Sequence, residues 1–149
     1  IPYSMRDNDN FYFTKIIKSI SKGEQPDIKN LYSANDYIHA SDIARAIISL
    51  VENQAEGIFN LGSAEPIATK ILLNMIYEKF GKELKINKQN DFNNDLEEFS
   101  LDNNKIYDKI AWKPSISIWD GISLLVHENK FNTKPSLEEF TDRIRNLCK

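Results

Sequence analysis

The stretch that most constrains this chain runs from 35 to 66, NDYIHASDIARAIISLVENQAEGIFNLGSAEP. Asp36-Tyr37-Ile38-His39 alternates polar and apolar side chains, the pattern of a half-buried strand. Ser41 and Asp42 are N-cap types placed just before a helical apolar pattern. Ile43, Ala46, Ile47, Leu50 and Val51 fall at offsets of three and four, which predicts one buried stripe. Ala44 and Ala46 are small enough to let a neighbouring backbone approach. Glu56-Gly57 breaks the helix, and Ile58 to Leu61 predicts a second short strand ending at Gly62. Strand, capped helix, strand and glycine loop follow one another with almost no residues to spare.

Helices account for most of the remaining pattern. Caps at 8–10 precede a helix over 11–22, with Phe13, Ile16, Ile17 and Ile20 inward and Gly23 in the left-handed position that ends it. A short strand over 28–32 is expected to pair with 36–39 as a hairpin. A second amphipathic helix covers 68–80, with Ile71, Leu72, Met75, Ile76 and Phe80 inward and Gly81 at its end, and 84–87 alternates like a strand. The polar stretch 88–100 reads as a surface loop. Asp102 caps a short helix, Trp112-Lys113-Pro114 is a turn, and Ser117 caps a helix from 118 to about 129. Ser136 and Glu139 have capping-box spacing at the start of a last helix. Trp112 and Trp119 are expected core anchors, His39 a packed residue at a strand end, and Lys105 a local ion-pair partner of Asp102.

Three runs in this order resemble the extended short-chain dehydrogenase/reductase family of NAD(P)-dependent nucleotide-sugar epimerases, dehydratases and reductases. They are Asp36-Tyr-Ile-His39, Asp42-Ile-Ala-Arg-Ala46 and Phe59-Asn-Leu-Gly-Ser63. Asp102 to Lys105 followed by Ile110-Ala-Trp-Lys-Pro114 is similar to the family's Asp-x-x-Lys and Leu-Gly-Trp-x-Pro segments. The likeness is to the C-terminal, substrate-facing part and runs from about 2 to 125. It implies an α/β fold (α+β in isolation): the C-terminal portion of a Rossmann-type enzyme, mostly helices with a few short strands. Residues 1–130 are then the substrate-binding portion and 131–149 a helical C-terminal extension. The chain opens on Ile1-Pro2, which suits a piece cut from a longer protein whose N-terminal cofactor-binding half lies upstream.

The resemblance also nominates residues. Pro2 and Tyr3 stand where a loop passes the nicotinamide, and Asn10 and Phe11 where the first helix meets the nucleotide or sugar. Asn35 occupies the place where many relatives have an Arg that forks onto the diphosphate. Lys88 lies in the loop that usually carries a second clamping Arg. Both departures from Arg weaken a standard diphosphate clamp.

The family's catalytic parts are not in this sequence. The five glycines are isolated, so no glycine-rich turn can cradle a pyrophosphate. None of the six tyrosines has a Lys four residues on, so no lysine-assisted phenol is available to move a proton. NAD or NADP is therefore expected in the complete enzyme and not bound tightly by this chain alone. A non-catalytic module that binds a ligand or partner is the alternative. A helical scaffold with a chance motif match is a further one, and it predicts no strand over 58–61.

Composition excludes other classes. Hydrophobic content of 41% in 149 residues suffices for one cored domain. A net charge of −3, with lysines scattered among acids, leaves no basic face for nucleic acid. No run is long enough to span a membrane and no signal-peptide pattern is present, so the expected compartment is cytoplasmic. A single cysteine, Cys148, forms no intrachain disulfide, and two histidines far apart make no metal pair. The paired acids at 97–98 and 138–139 read as solvated surface.

Overall fold

A computed structural model describes residues 1–4, 11–28, 30–85, 97–131, 136, 138–139, 141–142 and 145. The first helix, α1 (Tyr12–Lys22), buries the expected Phe13, Ile16, Ile17 and Ile20. It ends at Gly23, whose φ of 81° lets its N–H reach the Ile20 carbonyl while Glu24 N–H reaches Ser19.

The expected strand over 28–32 does not form. Asn30 Oδ1 accepts from the backbone N–H of Tyr32 (2.9 Å) and Ser33 (3.1 Å), folding the chain into a local turn instead. Pairing begins only at β2 (Ala34–Asp36). β2 is the middle of a three-stranded sheet, antiparallel to β4 (Pro66–Ala68) and parallel to β5 (Glu98–Phe99). β3 (Ile38–His39) turns away and pairs in parallel with β1 (Pro2–Tyr3). The Asp-Tyr-Ile-His run thus splits between two small sheets at Tyr37, and no hairpin joins 28–32 to 36–39.

The next helix, α2 (Ala40–Glu52), starts earlier than its apolar pattern suggests. Its N-cap is His39, whose Nδ1 accepts from Ser41 N–H at 3.2 Å. Asp42 is therefore no cap; it lies inside the helix and is fully buried. The buried stripe is also narrower than expected. Ala46 is enclosed, and Ile43 and Leu50 pack on Ile38, Ile106 and Trp112. Ile47 and Val51 remain 53% and 72% exposed, because Ile106, Ile110 and Trp112 cover one side of α2 only.

No strand forms over 58–61 either. The Ile58 carbonyl accepts from Lys105 Nζ (2.7 Å), and the backbone of Gly62 is held at both N–H and C=O by the Asn103 side chain. Side-chain bonds stand where a ladder would need a neighbouring strand. Lys105 thereby reaches 58–59 rather than Asp102, with its ammonium 5.1 Å from the Phe59 ring. Asp102 accepts from Asn104 N–H (2.8 Å), but the N-cap of α4 (Asn104–Ile110) is Asn103, so Asp102 stands one residue before the capping position expected of it.

Between these elements, α3 (Thr69–Lys79) buries Leu72, Leu73, Ile76 and Tyr77, while Ile71, expected inward, is 53% exposed. Leu84 and Lys85 carry no ladder, and 86–87 lie outside the described residues. The last long helix, α5 (Ile118–Phe131), begins with Ser117 Oγ accepting from Asp120 N–H at 3.1 Å. Faces of α1, α3 and α5 enclose the larger core with Tyr3, Leu31 and Tyr37. Trp112 is a core anchor as expected, whereas Trp119 is 39% exposed beneath the Lys79 ammonium. Ser136 and Glu139 exchange the two bonds of a capping box. Among the described residues no helix is long and apolar enough to cross a membrane, and no cluster could hold a metal.

Candidate functional site

Two buried carboxylates account for the sequence motifs. Asp36 accepts from Ser63 N–H (2.5 Å), Ser63 Oγ (2.6 Å), Ala64 N–H (3.1 Å) and Leu101 N–H (3.0 Å). Burial pushes its carboxyl up, but these donors together outweigh that and hold it below the usual carboxylate range. A methyl group at Gly62 would overlap the Asp36 carboxylate, so the loop closes this tightly only with glycine there. Asp42 holds a second segment in the same way, accepting from Ser115 N–H (3.1 Å) and Ile116 N–H (3.1 Å) while paired with Arg45. The Asp-Tyr-Ile-His, Asp-Ile-Ala-Arg and Gly-Ser motifs are thus clips. They fix the loops at 62–64, 101 and 115–116 and leave β2 rigid between them.

Beside β2 lies an open cleft of about 510 Å³. Asn35 lines it with Tyr12, Asp27, Asn30, Ser33, Tyr37 and Thr69, together with the apolar Ile1 and Ile28. The rings of Tyr12 and Tyr37 are stacked, 6.5 Å apart and within 7° of parallel. Thr69, in the same cleft, donates its hydroxyl to the Ser33 carbonyl at 3.1 Å. Burial is the main cause raising both phenols above the ordinary tyrosine value, so neither ionises near neutral pH. The cleft can donate and accept hydrogen bonds and offer an aromatic face. It holds no acid–base pair.

Of the residues nominated from sequence, Asn35 is the one found in this cleft. Phe11 precedes α1 as its N-cap and is 49% exposed. Pro2 is exposed on β1, opposite Ile38. Tyr3 shows 2% of its surface and packs against Phe13 and His39. Its hydroxyl lies where a methyl on Gly121 would stand. Asn10 and Lys88 lie outside the described residues.

Sequence reasoning missed Tyr12, Asn30, Ser33, Tyr37 and Thr69. Tyr12 reads as one of an aromatic pair with Phe11 at the mouth of α1, of which only Phe11 is nominated. Thr69 reaches Asn35 only because Asn35 pairs with Ile67 across β2 and β4, which no local pattern records.

The fold thus sets an open cleft beside a strand clipped by buried aspartates. No family model matches the chain. It is 32% identical over 100 residues to the dTDP-4-dehydro-6-deoxyglucose reductase of Escherichia coli, covering 66% of this chain and 32% of that protein. It is 29% identical over 122 residues to the UDP-glucuronate 4-epimerase of Thermodesulfobacterium geofontis, covering 81% and 35%. The chain thus spans about a third of the length of these curated relatives. Among solved structures, it superposes on the UDP-glucuronic acid 4-epimerase of Bacillus cereus in complex with NAD with a TM-score of 0.72. The identity is 17%, and the match covers 89% of this chain and 43% of that one. The RMD protein of Pseudomonas aeruginosa complexed with NADPH gives 0.72 at 16% identity, over 89% and 46%.

Curated and structural neighbours alike point to the extended short-chain dehydrogenase/reductase family of nucleotide-sugar epimerases and dehydratases, over part of its members' length. The fold is the Rossmann-type one of those structures, about half helical with a few short strands. The missing strand over 58–61, which a chance motif match predicts, does not mark one here: the fold match sets that alternative aside.

Proposed function

We propose that this chain is the C-terminal, substrate-binding portion of an NAD(P)-dependent nucleotide-sugar epimerase, dehydratase or reductase. Residues 1–130 form that portion and 131–149 a helical extension. The observation that carries the reading is Asn35. It follows directly on the clipped motif, opens onto the hydroxyl-lined cleft, and does so in a chain whose curated relatives are named for dTDP- and UDP-sugars. Asn35, Ser33 and Tyr12 suit the hydroxyls and amides of a sugar or base, with Asn10, Phe11 and Lys88 as further contacts.

The residues present do not fit a dinucleotide. The sequence has no glycine-rich turn, and the raised phenols of the cleft are no proton acceptors. NAD or NADP and the Tyr/Lys pair therefore belong to another segment of the complete enzyme, beside Pro2 and Tyr3.

The test is titration of UDP- and dTDP-sugars into the protein, followed by calorimetry. Binding that weakens in Asn35→Ala, which removes an amide donor and acceptor from the cleft, supports the reading. No binding by the wild type overturns it. A second reading, a binding module without chemistry, is favoured by the absent Tyr-x-x-x-Lys spacing. Sugar-dependent reduction of NAD(P) by protein purified from its source would exclude it.

A further inference from the structure

A second groove, of about 420 Å³, adjoins the Asn35 cleft and shares Tyr12 and Asp27 with it as walls. One wall is a face of α1, where Lys15, Lys18 and Lys22 follow at helical spacing and so stand in a row. Glu24 and Asp27 line the same groove. The Asn35 cleft, by contrast, is lined by hydroxyls and amides, with Asp27 its one charged side chain among the described residues. The two grooves therefore differ in charge and meet at Tyr12.

We infer that α1 supplies the cations that Asn35 does not. A ligand lies across Tyr12 with its uncharged part in the Asn35 cleft and its diphosphate over Lys15, Lys18 and Lys22. Asp27 at the junction opposes an anionic group entering the cleft, and in the lysine groove Glu24 and Asp27 offset part of the cationic charge. Ammonium groups act as point charges rather than forks, so the attraction is spread over the row and screened by salt. The inference rests on the nucleotide-sugar reading and adds to it a direction for the ligand.

The experiment compares uridine and thymidine with their 5′-diphosphates, binding to wild-type protein, Lys15→Glu/Lys22→Glu and Asp27→Asn. Melting curves establish that the variants fold. At low salt the wild type should bind a diphosphate at least about tenfold tighter than its nucleoside, and the ratio should shrink as salt rises. The double lysine variant should lose that advantage while its nucleoside affinity holds. Asp27→Asn should raise diphosphate affinity a few-fold. An advantage that survives in Lys15→Glu/Lys22→Glu, or nucleoside affinity falling in step, overturns the inference. Equal wild-type affinity for nucleoside and diphosphate overturns the lysine assignment and leaves the cleft reading standing. Binding of neither overturns both.

Discussion

Replacing Asp36 with Asn tests whether the family motif is a structural clip. The carboxylate takes four hydrogen bonds, two at each oxygen, and is fully buried. Asn keeps the shape and one acceptor oxygen, but turns an NH2 group toward two of the four donors. Two charge-assisted bonds are lost, each worth roughly 1.5 kcal/mol at the low end, so Asp36→Asn should cost about 3 kcal/mol. In a chain of this size that lowers Tm by about 10 °C. The folded carboxyl titrates below its unfolded value, so its contribution is complete above an unfolded pKa of roughly 4 and is lost as pH falls through the folded value. Wild type and Asp36→Asn should therefore differ fully at pH 7 and converge along the acid limb, where the wild-type side chain becomes neutral too. Urea unfolding followed by circular dichroism, from pH 7 down to the limit of wild-type folding, measures the gap. A gap under about 1 kcal/mol at pH 7, or one that stays constant into acid, refutes the reasoning.

Three further outcomes are expected. Tyr3→Phe should change unfolding free energy by less than about 0.5 kcal/mol or stabilise the protein, because the buried hydroxyl has no hydrogen-bond partner to lose; a large loss would give that hydroxyl a task outside the core. Ala111→Gly should stabilise by about 1 kcal/mol in the same assay, because Ala111 ends α4 at φ 53°, where the family pattern has glycine and a Cβ is strained. In a spectrophotometric titration, Tyr12 and Tyr37 should stay protonated at pH values where exposed tyrosines ionise, since burial raises both; Tyr12→Phe and Tyr37→Phe should leave the early phase of that titration unchanged.

Local chemistry alone placed a good part of the fold. Apolar offsets found the buried face of α1, Gly23 and Gly81 marked helix ends, and Ser117 and Ser136 marked beginnings, because each acts on residues within one turn of itself. Ile47 and Val51 show the limit of that reasoning. Their spacing is that of a core stripe, but burial depends on what covers the helix, and Ile106, Ile110 and Trp112 cover only the Ile43, Ala46 and Leu50 side. The strand expected over 58–61 failed for a related reason: alternation describes one chain, whereas a ladder needs a second.

The site divides along the same line. Asn35 was readable because it abuts a motif, and the motif's aspartates were readable as fixed points. That Asp36 faces Ser63 and Leu101, and Asp42 faces Ser115 and Ile116, was not, since a carboxylate's donors come from wherever the chain returns. The sequence by itself determined the helices, the starts at Ser117 and Ser136, the family motifs and the absence of a Tyr-x-x-x-Lys pair, all set by neighbours along the chain. The tertiary structure alone decided that Tyr12, Tyr37 and Thr69 share a cleft with Asn35 and that Lys15 to Lys22 lie beside it, because strand pairing and helix packing join residues that spacing leaves apart.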